Sequence, residues 1–412
     1  HSRHRRHRAA GPHRAEAVSD DPPHARIAPP AFLAAGAPAA VLAALPGSRA
    51  VGGCVRDAIA GLPVHDVDIA APLQPENIAR RLRDAGLKVF GTGLSHGTVT
   101  AVLDHQPVEV TALRRDVATD GRHAEVAWTT DWRVDAERRD FTINAMSCDA
   151  AGAVWDYFAG REDLAAGRVR FVGDAATRLR EDYLRALRFF RFWARYGRGA
   201  PDTEAIAAIR GAVEGLRARI APERIWMELK RLLAAPDPVA ALELMEATGI
   251  RGAVLPEAVG TAVLCRLVVL GAPPDPLLRL AAMLPSGDAH RRLAARLRLS
   301  GEEAARLRLL LDHAPPDAAT LRRFRAETAP LGPADGVLWL AEARDGGDRS
   351  ALRARVAAEP VPVFPLHGRD LLALGVQPGV GMGEALNGLR RAWLDSDCTL
   401  TRDELLNRVQ GA

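Results

Sequence analysis

Apolar and polar positions along this chain change period, and the changes predict its elements. The apolar run Ala31 to Leu45, interrupted by Pro38, predicts a first helix. An apolar lead-in then reaches Gly52 and Gly53, and the following residues predict a short helix closing at Gly61. The segment ending in Asp66, Val67, Asp68 and Ile69 predicts a strand, and so does Pro107 to Leu113, a Val/Thr pattern that Glu109 interrupts. From Glu181, EDYLRALRFFRFWARYG predicts an amphipathic helix. Asp182, Arg185 and Arg188 fall at intervals of three on its polar stripe, with Leu184, Leu187 and the aromatics on the buried side. Beyond Leu233, Ala/Leu/Arg-rich segments are broken by Pro and Gly signals near 236 to 238, 272 to 276, 315 to 317 and 330 to 333, so the remainder is helical. Strands in the first part and helices after it make the fold class α+β.

The chemistry concentrates in VGGCVRDAIAGLPVHDVDI, Val51 to Ile69. Side chains on a strand alternate faces, so Asp66 and Asp68 project together with Val67 turned away. Mg²⁺ takes oxygen ligands and is usually held by one or two carboxylates together with substrate phosphates, which suits such a pair. Gly52 and Gly53 let backbone N–H groups come close to a triphosphate, and a helix N-terminus adds favourable partial charge. Arg56, in the first turn, is within reach of a phosphate oxygen. Glu109 on the neighbouring strand is the candidate third ligand for a two-metal site. Each feature alone has an ordinary structural reading: a surface D-x-D, a glycine turn, a solvent-facing acid.

Further along, Asp140 and Asn144 lie four apart on an expected helical turn and can face one nucleotide. Two arginines, Arg138 and Arg139, precede Asp140 and are more than a helix cap requires. An Asp and an Arg held side by side, as in Asp182 and Arg185, offer an acceptor and donors that can imitate a base-pairing edge. The alternative there is a solvated salt bridge worth a few tenths of a kcal/mol.

These segments resemble the class II tRNA nucleotidyltransferases, the family of CCA-adding enzymes and bacterial poly(A) polymerases within the polymerase-beta-like superfamily. The resemblance runs from about Arg49 to Leu233. Its first motif matches Gly52, Gly53, Val55, Arg56, Asp57, Asp66 and Asp68; its second RRDFTINAM, Arg138 to Met146; its third DYFAGREDL, Asp156 to Leu164. The fourth matches EDYLRALRF, Glu181 to Phe189, and the fifth IAPERIWMEL, Ile220 to Leu229. The resemblance implies a nucleotidyltransferase head with a small mixed β-sheet, then an all-helical neck, body and tail, with Asp66, Asp68 and Glu109 holding two Mg²⁺ ions. It implies that Arg139 and Asp140 contact sugar and phosphates, that Asp182 and Arg185 select CTP and then ATP without a template, and that Glu181 braces the arginine. Arg188, on the same stripe, joins the nucleotide-binding set. The segment between Glu109 and Arg138, Ala112 to Glu137, is similar to a flexible loop that helps switch from C to A addition. His367 to Leu389 resembles a segment near the end of many members and reads as structural.

The expected divisions are a disordered basic arm over 1–26, the head over 27–158, the neck over 159–240 and the body and tail over 241–412. The chain has 412 residues, 48% of them hydrophobic, and no apolar run long enough to span a membrane. Of its formal net charge of +4, Arg3, Arg5, Arg6, Arg8 and Arg14 supply five, leaving the rest at −1. Binding of tRNA must then rest on a local basic surface, for which Arg178, Arg180, Arg188, Arg191, Arg195 and Arg198 are candidates. Cys54, Cys148, Cys265 and Cys398 are too scattered for zinc and too few for a disulfide framework, which fits a reducing cytoplasm. The functional expectation is addition of CCA to tRNA from CTP and ATP, with no membrane and no protein partner inferred. A poly(A) polymerase, a CC-adding or A-adding partial enzyme and a non-catalytic RNA-binding relative stay open as alternatives.

Overall fold

The computed structural model describes residues 21–93, 97–119 and 124–410. Most of the expected basic arm lies outside these residues. Its last part does not behave as an arm: Ala25–Arg26 forms a strand, β1. The N–H groups of His24 and Ile27 donate to the carbonyls of Val154 and Gly152, both at 2.8 Å, and this ladder holds the segment on the sheet.

The chain divides into two compact units. The first runs through Asp182 and includes Tyr196–Ala208; the second comprises Tyr183–Arg195 and the chain from Ile209 onward. The division falls inside the stretch expected to be a neck.

The first unit is built on a mixed eight-stranded sheet. After the helix α1 (Gly36–Ala44) come β2 (Arg49–Val51), α2 (Gly53–Ile59), β3 (Asp68–Ala71), α3 (Pro75–Asp84), β4 (Lys88–Gly93), β5 (Thr98–Leu103) and β6 (Gln106–Ala112). With β9 (Ser147–Cys148) and β10 (Ala153–Trp155), the spatial order is β1-β10-β9-β2-β3-β6-β5-β4. Among the described residues of this sheet only β3 and β6 pair in parallel; their neighbours are antiparallel. One face is sealed by α1 and α3, whose Ala37, Val41, Ile78 and Leu82 pack with Ile69, Ala71, Val99, Val108 and Val110. The alternating residues Ala70 and Val51 turn the other way and join Leu113 and Trp132.

Three expectations are revised. The segment expected to be a loop, Ala112 to Glu137, forms a separate hairpin of β7 (Arg114–Thr119) and β8 (Ala124–Trp128), then α4 (Trp132–Glu137); Gly121 lies outside the described residues. The turn expected to be helical at Asp140 to Asn144 is a short 3-10 turn over Thr142–Asn144 entered from extended Phe141, because Phe141 bridges to Phe171 as in a strand. The single helix expected from Glu181 is two, α6 (Ala175–Glu181) and α7 (Arg185–Tyr196), with α5 (Gly160–Ala166) before them. Asp182 is extended, at φ −155° and ψ 107°, and ends α6, so it does not share a helical stripe with Arg185.

In the second unit, the ring of Tyr183 lies so close to Gly215 that a Cβ there would stand 2.4 Å from it. Leaving the helix at this point lets the ring settle against a glycine. Its other helices include α8 (Thr203–Gly211), begun in the first unit, α9 (Val213–Arg219) and α10 (Pro222–Leu233), and they continue to Gln410. Segment 367–389 packs there through Leu371 and Leu389 against Trp393 and Leu405, a structural role. Among the described residues no helix is long and apolar enough to cross a membrane.

Gly160 opens α5 with its backbone against the 3-10 turn: an added Cβ would lie 2.2 Å from the Thr142 carbonyl oxygen. Gly160→Ala should lower stability by about 1–3 kcal/mol. Gly252→Ala, where an added Cβ meets nothing within 4 Å, should leave it unchanged or raise it slightly. Urea unfolding of the two variants checks both.

Candidate active site

Register places the first two functional side chains. In the parallel pair, Asp68 stands opposite Glu109, Ile69 opposite Val110 and Ala70 opposite Thr111. Because Ile69, Val108 and Val110 point into the core under α1 and α3, alternation turns Asp68 and Glu109 to the open face together. Asp66 precedes β3 in irregular chain rather than lying on the strand, and is exposed, as are Asp68 and Glu109.

Partial desolvation, then the charges of Glu109 and Asp66, push the Asp68 carboxyl above the usual carboxylate range, while Arg139 opposes the rise. Among the described residues, none of these three carboxylates has a side-chain hydrogen bond or ion pair. Nor are three acids gathered tightly enough to enclose an ion by themselves.

The glycine turn beside them is strained toward positive φ. Gly52 sits at φ +74° and ψ −131°, a conformation L side chains rarely adopt, and its N–H donates to the Met146 carbonyl at 3.3 Å. A Cβ on it would stand 3.3 Å from Nη1 of Arg139, and one on Gly53 would stand 3.4 Å from Nη2 of Arg56. Cys54 then packs α2 against the strands, its thiol directed at the Val51 carbonyl (3.3 Å), and burial pushes that thiol up to about 11.

Arg56, expected at a phosphate, is only 8% exposed and is engaged within the protein. It donates to Asp57 (2.9 Å) and to Oδ1 of Asn144 (2.5 Å), and lies over the Tyr196 ring at 4.4 Å. Tyr196 in turn donates to Asp57 at 2.6 Å. Asn144 passes the chain on, donating to Oδ1 of Asp140 at 3.1 Å. Asp140 and Asn144 are thus brought together as expected, through a direct bond with both side chains buried.

Arg138 and Arg139 share one acid, Asp135, at 3.0 and 3.3 Å. Glu181 pairs with Arg178 at 2.9 Å. Arg185 and Arg188 belong to the second unit, where Arg188 (3.5 Å) and Arg191 (3.0 Å) both pair with the buried Glu228 of α10. Of the arginines expected on an RNA surface, Arg178, Arg188 and Arg191 therefore have structural partners. So does Arg198, which donates to the Leu164 and Ala165 carbonyls.

Residues 48–170 match the family model described as Poly A polymerase head domain, and residues 200–259 match the one described as probable RNA and SrmB-binding site of polymerase A. The chain is 36% identical over 377 residues to the mitochondrial CCA tRNA nucleotidyltransferase 1 of Mus musculus, covering 88% of this chain and 86% of that one.

The chain belongs to the CCA tRNA nucleotidyltransferase family.

Over 203 residues, 48% of each chain, it is also 39% identical to the CCA-adding enzyme of Geobacillus stearothermophilus. The crystal structure of the Bacillus stearothermophilus CCA-adding enzyme in complex with CTP superposes with a TM-score of 0.60 at 28% identity, covering 88% of this chain and 93% of that one. Membership fits the α+β architecture of a mixed N-terminal sheet followed by helices.

Sequence reasoning missed Asp135 and Tyr196. The signal for Asp135 was present: it lies three and four residues before Arg138 and Arg139, the spacing of helical ion pairs. Tyr196 carried none, since its partner is 139 positions away.

Asp68→Asn removes a carboxyl whose folded-state pKa is raised, so the folded protein binds its proton more readily than the unfolded chain does. Its destabilising contribution is present above the folded pKa and absent below the unfolded one. The variant should therefore melt slightly higher at neutral pH, the gain kept small because solvent screens the group. The gain should vanish on acidification, and melting curves across pH test it.

Proposed function

We propose that this protein adds C, C and A to the 3' end of tRNA, taking CTP and ATP without a template and releasing pyrophosphate. The observation that carries this reading is the carboxylate set built by the Asp68–Glu109 register, without side-chain partners among the described residues, in a chain similar over 88% of its length to a CCA tRNA nucleotidyltransferase. The RNA 3'-hydroxyl attacks the α-phosphate, a bond forms to that phosphorus, and the pyrophosphate oxygen leaves.

Asp66, Asp68 and Glu109 fit Mg²⁺, in our reading two ions. They are hard oxygen donors, and among the described residues their side chains have no hydrogen-bond or ion-pair partner, which leaves them available to an ion that also takes water and phosphate. Held there, such ions would lower the hydroxyl pKa and neutralise charge on the leaving oxygen.

The chain's own residues supply position. Gly52 allows close backbone approach, and Arg139 beside it presents a guanidinium to phosphate oxygens. Asp140 and Asn144 hold the neighbouring sugar-binding edge, with Arg56 bracing Asn144 from behind. Asp182, Arg185 and Arg188, next to Glu181, are proposed to read the base. The helical body and tail are proposed to bind tRNA.

Four free cysteines, three of them buried, support a reducing compartment. We propose the cytoplasm or the mitochondrial compartment named for the vertebrate relatives.

Purified protein with Mg²⁺ and tRNAs truncated before each terminal position should incorporate C from CTP and A from ATP, and stop after CCA. Long A tails from ATP alone would indicate a poly(A) polymerase, arrest after CC a partial enzyme, and binding without incorporation a non-catalytic relative. Asp66→Ala and Asp68→Ala should each lower turnover by roughly a thousandfold with tRNA binding retained.

A further inference from the structure

Two adjacent arginines crowd the entrance to the RRDFTINAM segment, and like charges so placed need an anchor. That anchor is Asp135 on α4, 2% exposed. Its Oδ1 accepts from Nε of Arg138 (3.0 Å) and from the backbone N–H of Arg114 (3.1 Å), and its Oδ2 accepts from Nη2 of Arg139 (3.3 Å). Burial alone would raise this carboxyl; the charges of Arg139 and Arg138 outweigh burial and hold it below the usual range. It is therefore an ionised, buried acid receiving donors on both oxygens, an arrangement that fixes geometry.

Arg139 is the member of this cluster that reaches the site. While Nη2 is tied to Asp135, Nη1 lies 3.3 Å from where a Gly52 Cβ would stand, and the charge of Arg139 acts on Asp68. A guanidinium is a rigid planar fork, so fixing one nitrogen directs the other. We propose that Asp135 is the positioning residue that aims Arg139 at the nucleoside triphosphate over Gly52 and Asp68. The proposal rests on the nucleotidyl-transfer reading above.

The same carboxylate binds the first residue of β7, so the root of the β7–β8 hairpin and Arg139 share one anchor. A long side chain without such a brace would have to be ordered by each incoming nucleotide, at the expense of binding.

The test is a double-mutant cycle of Asp135→Asn and Arg139→Gln, read as kcat/KM for CTP and as equilibrium binding of MgCTP, with melting temperatures recorded for every variant. Asp135→Asn keeps an oxygen for the Arg114 N–H but loses the charge. It should lower kcat/KM for CTP about tenfold with KM for tRNA unmoved. On the Arg139→Gln background the same change should alter either readout by less than about twofold. An equal tenfold loss on both backgrounds, or unchanged CTP kinetics in a folded Asp135→Asn protein, overturns the proposal and leaves the reading of the site intact. Retained turnover in Asp66→Ala and Asp68→Ala overturns both.

Discussion

The structure turns on two like charges held abreast. Parallel pairing of β3 with β6 sets Asp68 beside Glu109, and among the described residues neither side chain has a hydrogen bond or ion pair, only the charge of Arg139 acting on Asp68. Elsewhere, charge taken out of water is matched. Arg49 is held between the rings of Trp132 (4.2 Å) and Trp155 (3.6 Å). Asp163, fully buried, takes Arg170 at 3.0 Å, Arg168 at 3.4 Å and the Thr142 hydroxyl at 2.6 Å. Glu228 takes Arg188 and Arg191. Breaking one such pair leaves a buried charge at about 3–5 kcal/mol, which explains why the fold keeps them complete. Asp66, Asp68 and Glu109 differ from these pairs in being exposed and without a side-chain partner among the described residues, which is why they are the set proposed to hold Mg²⁺.

That contrast also decides what sequence could reveal. The strand carrying Glu109 and the short helix after Gly53 were legible, because both follow from local alternation and glycine punctuation. The carboxylate pairing was legible in kind, but its parallel register was not, since register depends on which strand lies next to which. Asp66 fell off its predicted strand because β3 begins only where pairing with β6 begins, at Asp68. The break at Asp182 was illegible for a similar reason. The helical pattern of EDYLRALRF is continuous, and what interrupts it is the fit of Tyr183 against Gly215, thirty-two positions on. Local propensity proposes and packing disposes.

Arg56 shows how packing engages a residue type that spacing alone would send to a ligand. An arginine in the first turn after a glycine pair reads as a phosphate ligand on spacing alone. Here Asp57, Asn144 and the Tyr196 ring enclose it. It holds Asn144, and Asn144 holds Asp140. Arg139, one of a pair that looked redundant, takes the forward position beside Gly52. Position in the motif was readable; which guanidinium faces outward depends on the acids each one meets.

The abundance of arginine has the same structural logic. Arg279, 3% exposed, donates to the Leu233 carbonyl at 2.6 Å and to the Pro236 carbonyl at 3.1 Å, closing the end of α10. Arg325 donates to the Val356 and Glu359 carbonyls at 3.1 and 2.8 Å, closing another helix. Arg296 grips both the Val254 carbonyl and Glu257. Helix ends carry unsatisfied carbonyls, and a five-donor fork answers several of them at once. The 55 Lys and Arg residues are therefore a poor count of phosphate contacts, because many already serve carbonyls and acids within the fold. An RNA surface on this protein must be assembled from the cations such duties leave exposed, so its strength follows from their placement and not from net charge.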